Sequence, residues 1–330
     1  MLSGKKPLIS FVITLYNEET AMSSLEAALR ELGGKYAGEY EVEFVLVDDG
    51  SKDSTWEKLA TFALSDKRVS AVRLSRNFGH QQALTCGYDL ARGDVVISMD
   101  ADLQDPPEVV DLLVEEWKKG ADIVFTVRER RHGEGLLKKL TARWFYKIFT
   151  FVSRSSAPAD SGDFRLMNRR SMKAFLTLRE RHRYIRGMVG WMGFKTAIVP
   201  YERKPRAAGR SKYTWSRMFS FAMDAIVSFS SFPLRLAYIF SAIASSTVLC
   251  YLVYVLLQHF AGGKELVPGW TSLILSIVIF GFFNLLSLGL IGEYVGRIYD
   301  MAKDRPLYFV SDMVTDGALR AAEPYPFRVE

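Results

Sequence analysis

The chain has 330 residues, 43 Lys and Arg against 37 Asp and Glu, 49% hydrophobic and 24% charged residues, which allows one large or two ordinary domains and excludes disorder, collagen and low-complexity sequence. Two cysteines, Cys86 and Cys250, exclude a disulfide framework and a Cys-rich zinc site and suit a reducing compartment. The net charge of +6 is mild for a nucleic-acid binder of this size, so no nucleic acid is expected as a partner.

Residues 8–15 (LISFVITL) and 42–47 (VEFVLV) are short, apolar and β-branched, the pattern of buried parallel strands, and residues 69–74, 95–99 and 122–127 resemble them. Asn17-Glu18-Glu19 follows the first run without a small-residue cleavage pattern, so no signal peptide is expected. Helices are expected between the strands, at 20–32, 53–63, 79–91 and 107–119. Pro106-Pro107 opens the last of these and Gly120 closes it. Alternation of this kind predicts an α/β fold, a doubly wound sheet with ligands at the carboxyl ends of its strands.

Beyond residue 200 the mean hydropathy of +0.04 proves misleading. Residues 215–232 carry Trp, Met and Phe among few charges, which fits a helix lying in the membrane interface and equally an amphipathic helix of a soluble domain. Residues 236–263 then run for 28 positions without Asp, Glu, Lys or Arg, and 266–292 for another 27. About 20 apolar residues as helix cross a bilayer core of ~30 Å. The reading is a two-helix transmembrane hairpin at 233–296, with spans of about 236–260 and 268–292.

Arg203, Lys204, Arg206, Arg210, Lys212 and Arg217 precede the hairpin and Arg297, Lys303 and Arg305 follow it, against Lys264 and Glu265 in the connecting loop. The positive-inside rule puts both termini in the cytoplasm of an inner-membrane protein: a domain at 1–214, the juxtamembrane helix, the hairpin, and a tail at 297–330. Asn284 is expected as an interhelical hydrogen-bond partner. Gly289, Gly292 and Gly296 suit close helix packing, compatible with a homo-oligomer such as a dimer or tetramer. His132, His182 and His259 form no metal-ligand spacing.

Polar clusters follow three of the predicted strands: Tyr16-Asn17-Glu18-Glu19, Asp48-Asp49-Gly50-Ser51, and Asp100-Ala101-Asp102-Leu103-Gln104-Asp105. Each alone is an ordinary cap or turn. Gathered on one sheet edge, acids of like charge require a cation or ligand to compensate them. Asp100 and Asp102 present carboxylates to a hard divalent cation, Mg²⁺ or Mn²⁺, that shares its shell with phosphates and water. Neither G-x-G-x-x-G after the first strand nor G-x-x-x-x-G-K-[ST] occurs, so a metal bridging acids to a diphosphate fits better than a glycine cradle.

Asp48-Asp49-Gly50-Ser51, Asp100-Ala101-Asp102 with Gln104-Asp105-Pro106, and Gly162-Asp163-Phe164-Arg165-Leu166-Met167 together resemble family 2 glycosyltransferases of the GT-A, Rossmann-like fold. More narrowly they resemble the polyprenyl-phosphate glycosyltransferases, which include bactoprenol glucosyltransferases and dolichol-phosphate mannose synthases. Arg76-Asn77-Phe78-Gly79, Arg186-Gly187 with Trp191 and Gly193, Gly209-x-Ser211-Lys212-Tyr213 and Gly292-Glu293-Tyr294-x-Gly296-Arg297 extend the resemblance over nearly the whole chain.

The resemblance implies a UDP-sugar donor and a polyprenyl phosphate acceptor. Tyr16, Asn17, Glu18, Asp48 and Asp49 would bind the nucleotide sugar; Asp100, Asp102 and Gln104 would hold the metal and the diphosphate. Asp163 takes the position of the catalytic base, and Arg165, Arg186, Arg210, Ser211 and Lys212 would meet phosphate groups. Two residues depart from the pattern: Thr14 stands where many relatives have Pro, and His80 where many have Lys. A phosphate monoester with its second pKa near ~6 is largely deprotonated at neutral pH, so Asp163 is expected to orient groups at least as much as to take a proton.

The expected reaction is a single, inverting displacement at the cytoplasmic face, with glucose preferred and an aminoarabinose derivative, mannose or an N-acetylated sugar as alternatives. A processive polysaccharide synthase generally carries Gln-x-x-Arg-Trp, and no Gln lies between Gln104 and Gln258. A non-catalytic lipid-binding scaffold is disfavoured because unliganded acidic clusters are costly.

Overall fold

The computed structural model describes residues 6–102, 104–106, 108–128, 158, 161–202, 232–260 and 269–321. It divides into two compact units: residues 1–217 with 305–330, and residues 218–304.

In the first unit, strand and helix alternate: β1 (Leu8–Leu15), α1 (Met22–Tyr36), β2 (Glu41–Asp48), α2 (Thr55–Ser65), β3 (Val69–Leu74), α3 (His80–Leu90), β4 (Val95–Asp100), α4 (Val109–Lys118) and β5 (Ile123–Arg128). The expected strands and helices are all present, most with bounds within two residues. β6 (Ser161–Asn168), α5 (Arg169–Leu176), α6 (Ile185–Trp191) and β7 (Thr196–Tyr201) follow.

The strand order β3-β2-β1-β4 reverses direction between β1 and β4, the switch point at which open α/β sheets take their ligands. β1 pairs in parallel with both β2 and β4. Alternation along each strand divides the two faces. Phe11, Ile13, Phe44 and Leu46 join the main core with Leu25 and Leu29 of α1 and Leu59 of α2. Val12 and Val47 face α3. A Cβ on Gly87 would come within 2.2 Å of Val12 Cγ1, so glycine lets α3 lie directly on β1.

Two features depart from a simple doubly wound sheet. β6 inserts between β4 and β5, antiparallel to both. The segment expected as a C-terminal tail instead supplies β8 (Val310–Thr315) and β9 (Ala318–Ala321), with β8 antiparallel to β3 at the sheet edge.

Tyr308, fully buried, anchors this return. Its hydroxyl donates to Asp89 Oδ2 on α3 at 2.6 Å, and Arg179 donates to both Asp89 oxygens at 2.9 and 2.7 Å. Tyr308→Phe is expected to cost about 1.5–3 kcal/mol, the value of a hydrogen bond to a charged group. An unchanged thermal midpoint in detergent would show that this anchor contributes nothing.

The second unit contains α7 (Phe232–Phe260) and α8 (Trp270–Ala302). Among the described residues one helical segment, Ser276–Ala302, is long and apolar enough to cross a membrane, and the apolar stretch within α7 is the shorter Ala237–Tyr251. Of the two expected spans, one thus has a qualifying helix among the described residues. The helices meet through Ser241 and Ser287, whose hydroxyls lie 3.3 Å apart, and stacked Phe240 and Phe283. Asn284 is exposed, so the expected interhelical polar contact falls to the serine pair instead. The expected interfacial helix lies outside the described residues.

Candidate active site

The carboxyl ends of β1, β2 and β4 carry the three acidic clusters as expected. Thr14 of β1 is in register with Asp100 of β4, at the switch point itself. β6 runs back along β4. Two residues beyond the last paired rung, Ser98 with Arg165, come Asp100 on one strand and Asp163 on the other. Topology thereby brings Asp163 to the edge that bears the acidic pair.

Around β1 and β2 the loops are sewn together. Asn17 occupies the left-handed region at φ 53°, which Asn tolerates better than most residues. Its N–H donates to Ser51 Oγ at 2.9 Å, its side-chain carbonyl accepts from Lys52 N at 2.9 Å, and Glu18 N donates to Thr55 Oγ1 at 2.9 Å. Tyr16 is exposed beside them.

Asp48 is fully buried. Its Oδ1 accepts from the amide and hydroxyl of Ser51, while Oδ2 has no hydrogen bond and faces Arg73 Nε at 3.6 Å. Burial pushes its carboxyl above the ordinary value despite these partners. Asp49 accepts from Phe78 N at 2.8 Å and Gly79 N at 2.9 Å, so both its oxygens shape the loop leading into α3. Gly50, at φ +65°, is required where that loop crosses: a Cβ would stand 2.4 Å from the Arg76 carbonyl carbon.

Asp100 and Asp102 are partly exposed, and Asp102 Oδ1 accepts from Gln104 N at 3.2 Å. Gln104 is buried, and its Nε2 has no hydrogen-bond partner.

Asp163 is ringed by Arg165, Arg186 and His80. Arg165 Nη2 donates to its Oδ1 at 2.6 Å; Arg186, on α6, donates from Nε to Oδ1 at 3.2 Å and from Nη2 to Oδ2 at 3.0 Å. His80 Nε2 lies 3.3 Å from Oδ2, and its Nδ1 lies 3.0 Å from Thr14 Oγ1. Below, Tyr88 donates to Ser98 Oγ, which donates to the Asp163 carbonyl. Burial pushes the Asp163 carboxyl up, but Arg186, His80 and Arg165 outweigh it and hold the group well below the ordinary carboxylate value.

Arg165, expected to meet a phosphate, is fully buried beneath Asp163. The residues alternate in direction along β6, so Asp163 and Arg165 share one face while Phe164 turns to the core. That i, i+2 spacing was the available sequence signal for the pair. The Thr14–His80 contact and Arg73 behind Asp48 had no local signal. Arg210, Ser211 and Lys212 lie outside the described residues.

An α/β sheet whose switch point meets a carboxylate pair, with an antiparallel strand delivering a further acid beside it, is the GT-A, Rossmann-like glycosyltransferase architecture. The chain belongs to glycosyl transferase family 2, whose family model matches residues 10–176. It is 43% identical over 302 residues to glycosyltransferase YkcC of Bacillus subtilis, covering 91% of this chain and 92% of that one. It is 39% identical over 304 residues to the bactoprenol glucosyl transferase of Shigella phage SfV, covering 92% and 98% of the two chains. Among solved structures, glucosyl-3-phosphoglycerate synthase from Mycobacterium tuberculosis, in complex with Mn²⁺, UDP-glucose and phosphoglyceric acid, aligns at 18% identity with a TM-score of 0.45, covering 67% and 78%.

Proposed function

We propose that the protein transfers a sugar, glucose by preference, from a UDP-sugar to a polyprenyl phosphate at the cytoplasmic face of the membrane, with inversion. The single observation that carries this reading is the meeting of the Asp100 edge and the cation-ringed Asp163 at the switch point between β1 and β4. The relative from phage SfV, a bactoprenol glucosyl transferase by name, supports the acceptor class and the preferred sugar.

In this mechanism a phosphate oxygen of the acceptor forms a bond to the anomeric carbon while the bond from that carbon to the UDP β-phosphate oxygen breaks. UDP leaves with the electron pair. The acceptor oxygen is already ionised near neutral pH, its second pKa lying near ~6. Asp163, held well below the ordinary carboxylate value, is a poor proton acceptor there. Its role is to orient the reacting groups. Arg186, partly exposed and bonded to Asp163, would meet a substrate phosphate, and Arg165 acts from below by fixing Asp163.

Tyr16, Asn17 and Glu18 form the nucleotide side of the site, with Asp48 and Asp49 as the buried frame of its floor. A divalent cation, Mg²⁺ or Mn²⁺, fits Asp100 and Asp102. No group of three or more His, Cys, Asp or Glu that could hold a metal occurs among the described residues, so two carboxylates leave room for diphosphate oxygens and water in the shell. When bound, such an ion neutralises charge on the departing diphosphate. Gln104 Nε2, a buried donor without a partner, suits a phosphate oxygen better than a cation.

Both α7 and α8 are proposed as membrane spans with the catalytic domain and the termini on the cytoplasmic side, supported by the two charge-free runs and their basic flanks. Arg210, Ser211 and Lys212, in the basic stretch that precedes the first charge-free run in sequence, are assigned to the acceptor phosphate on the family resemblance.

Purified protein with Mg²⁺ or Mn²⁺, polyprenyl phosphate and a panel of labelled UDP-sugars is expected to give labelled lipid and an equal amount of UDP, fastest with UDP-glucose. No labelled lipid with any donor would overturn the reading, and a water-soluble polymer would replace it with a polysaccharide synthase.

A further inference from the structure

We propose that His80 is a positioning residue for the transfer: a Thr14–His80–Asp163 chain holds Asp163 in place while Arg186 is drawn toward a substrate phosphate. This rests on the transferase reading above and adds to it a residue and a division of labour around Asp163.

The geometry is specific. Asp163 Oδ1 is shared by Arg165 and Arg186, and Oδ2 by Arg186 and His80. Arg165 is sealed beneath the carboxylate, whereas the Arg186 side chain is 31% exposed, so of the two guanidinium groups it is the one a substrate phosphate can reach. Once Arg186 moves, Oδ2 keeps one partner in this ring, His80. Without His80 the carboxylate would be held through Oδ1 by Arg165 and could pivot about that contact, so that Oδ2 would follow Arg186 as substrate binds.

Both ring nitrogens of His80 are engaged, which fixes the plane of the imidazole. Thr14 makes the arrangement tolerant of protonation state, because a hydroxyl both donates and accepts. The imidazolium donates to Thr14 and to Asp163. The neutral ring, with its proton on Nε2, still donates to Asp163 and accepts from Thr14 at Nδ1. Deprotonation removes one positive charge from the ring around Asp163 without removing the contact.

The position of His80 is itself built. Asp49 ties down the amides of Phe78 and Gly79 immediately before it, Gly79 turns at φ +103°, and Gly87 seats α3 against Val12. Among the described residues the charged groups near the imidazole are Asp163, with Arg165 bonded to it, on β6, Arg186 on α6, Asp100 at the end of β4 and Asp49 after β2. Desolvation opposes the imidazolium, but the Asp163 hydrogen bond and charge prevail and raise the His80 pKa above 6.5.

The test compares wild type, His80→Ala and His80→Lys, each first checked for an unchanged thermal midpoint. His80→Ala is expected to lower kcat by about 10²-fold, the scale of a misplacement near 1 Å, with KM for the UDP-sugar within about threefold. His80→Lys, which keeps a cation and a donor beside Asp163, is expected to recover most of that loss. A kcat for His80→Ala within about twofold of wild type, or a His80→Lys variant as impaired as His80→Ala, would overturn the proposal.

If wild type turns over no UDP-sugar at all, the transferase reading fails instead. The chain is then decided by NMR titration of histidine-labelled protein, with the His80 signal assigned by its loss in His80→Gln. Titration above the ordinary histidine value supports the pairing with Asp163, and titration at or below it overturns the proposal.

Discussion

Asp163→Asn is expected to reduce kcat by about 10²-fold or more, the scale of misplacing a reacting group by near 1 Å, and to destabilise the catalytic domain as well. The second effect follows from Arg165. That guanidinium is fully buried, its Nε and Nη1 have no hydrogen-bond partner, and its ion pair is with Asp163 at 2.6 Å. Removing the carboxylate charge leaves a buried cation uncompensated, which costs about 3–5 kcal/mol.

Asp163→Glu separates the two effects, since it keeps the charge and displaces the oxygens by one methylene. It should retain most of the stability and still lose most of the turnover. The pH dependence distinguishes orientation from proton abstraction. Because the folded pKa of Asp163 is depressed, its contribution to stability is complete above the ordinary carboxylate range and is lost only as pH falls through the depressed value. It therefore cannot produce an acid limb near neutrality. Any decline in kcat/KM for the acceptor near pH ~6 belongs to protonation of the acceptor phosphate, and it should persist in the residual activity of Asp163→Glu. A limb that moves with the substitution would make Asp163 the general base.

Asp102→Asn should lower turnover by about 10²–10³-fold, the scale of losing one electrostatic contact to charge developing in the transition state, with little change in stability. Asp102 is partly exposed at the end of β4, and Asn retains the oxygen that accepts from Gln104 N at 3.2 Å, so the turn survives. What disappears is one negative charge toward a divalent cation. The dependence of rate on Mg²⁺ or Mn²⁺ concentration should shift to higher metal, while EDTA abolishes wild-type turnover and added cation restores it. Wild-type turnover by Asp102→Asn at limiting metal would remove the residue from the site.

The unequal stability costs of these two substitutions have one origin. Asp102 sits where solvent and ligand can reach it, whereas Asp163 is nine-tenths buried among cations. Asp48 and Asp49 belong with the second kind. Expected to bind the nucleotide sugar, they are buried and bonded to Ser51 and to the Phe78–Gly79 amides. A sequence shows that acids cluster after a strand; it does not show which of them face solvent.

Local pattern sufficed for much of the fold. β1 is a mostly apolar, β-branched run, β3 keeps Val69, Ala71, Val72 and Leu74 buried, α1 buries Met22, Leu25, Leu29, Leu32 and Tyr36 at helical spacing, and α4 begins just after the two prolines, so each element is written in its own residues. β6 is different. Its SGDFRLMN sequence mixes charges into a central strand, because Asp163 and Arg165 neutralise each other on one face while Phe164 and Leu166 fill the core on the other. The β8–β9 hairpin was equally hidden, being short, partly polar and stabilised by a sheet edge formed more than 200 residues earlier.

The sequence by itself determined the α/β class, the strand ends that bear the acids, the charge-free runs and the motifs of the family. Only the tertiary structure decided that residues 14, 80, 163, 165 and 186 make one cluster, that Arg165 lies beneath the site, and that the chain returns to complete the sheet. The physical reason is range. Helix and strand formation answer to neighbours a few residues away, whereas the ionisation and orientation of Asp163 depend on partners brought from separate strands and helices by the reversal of strand order beside β1.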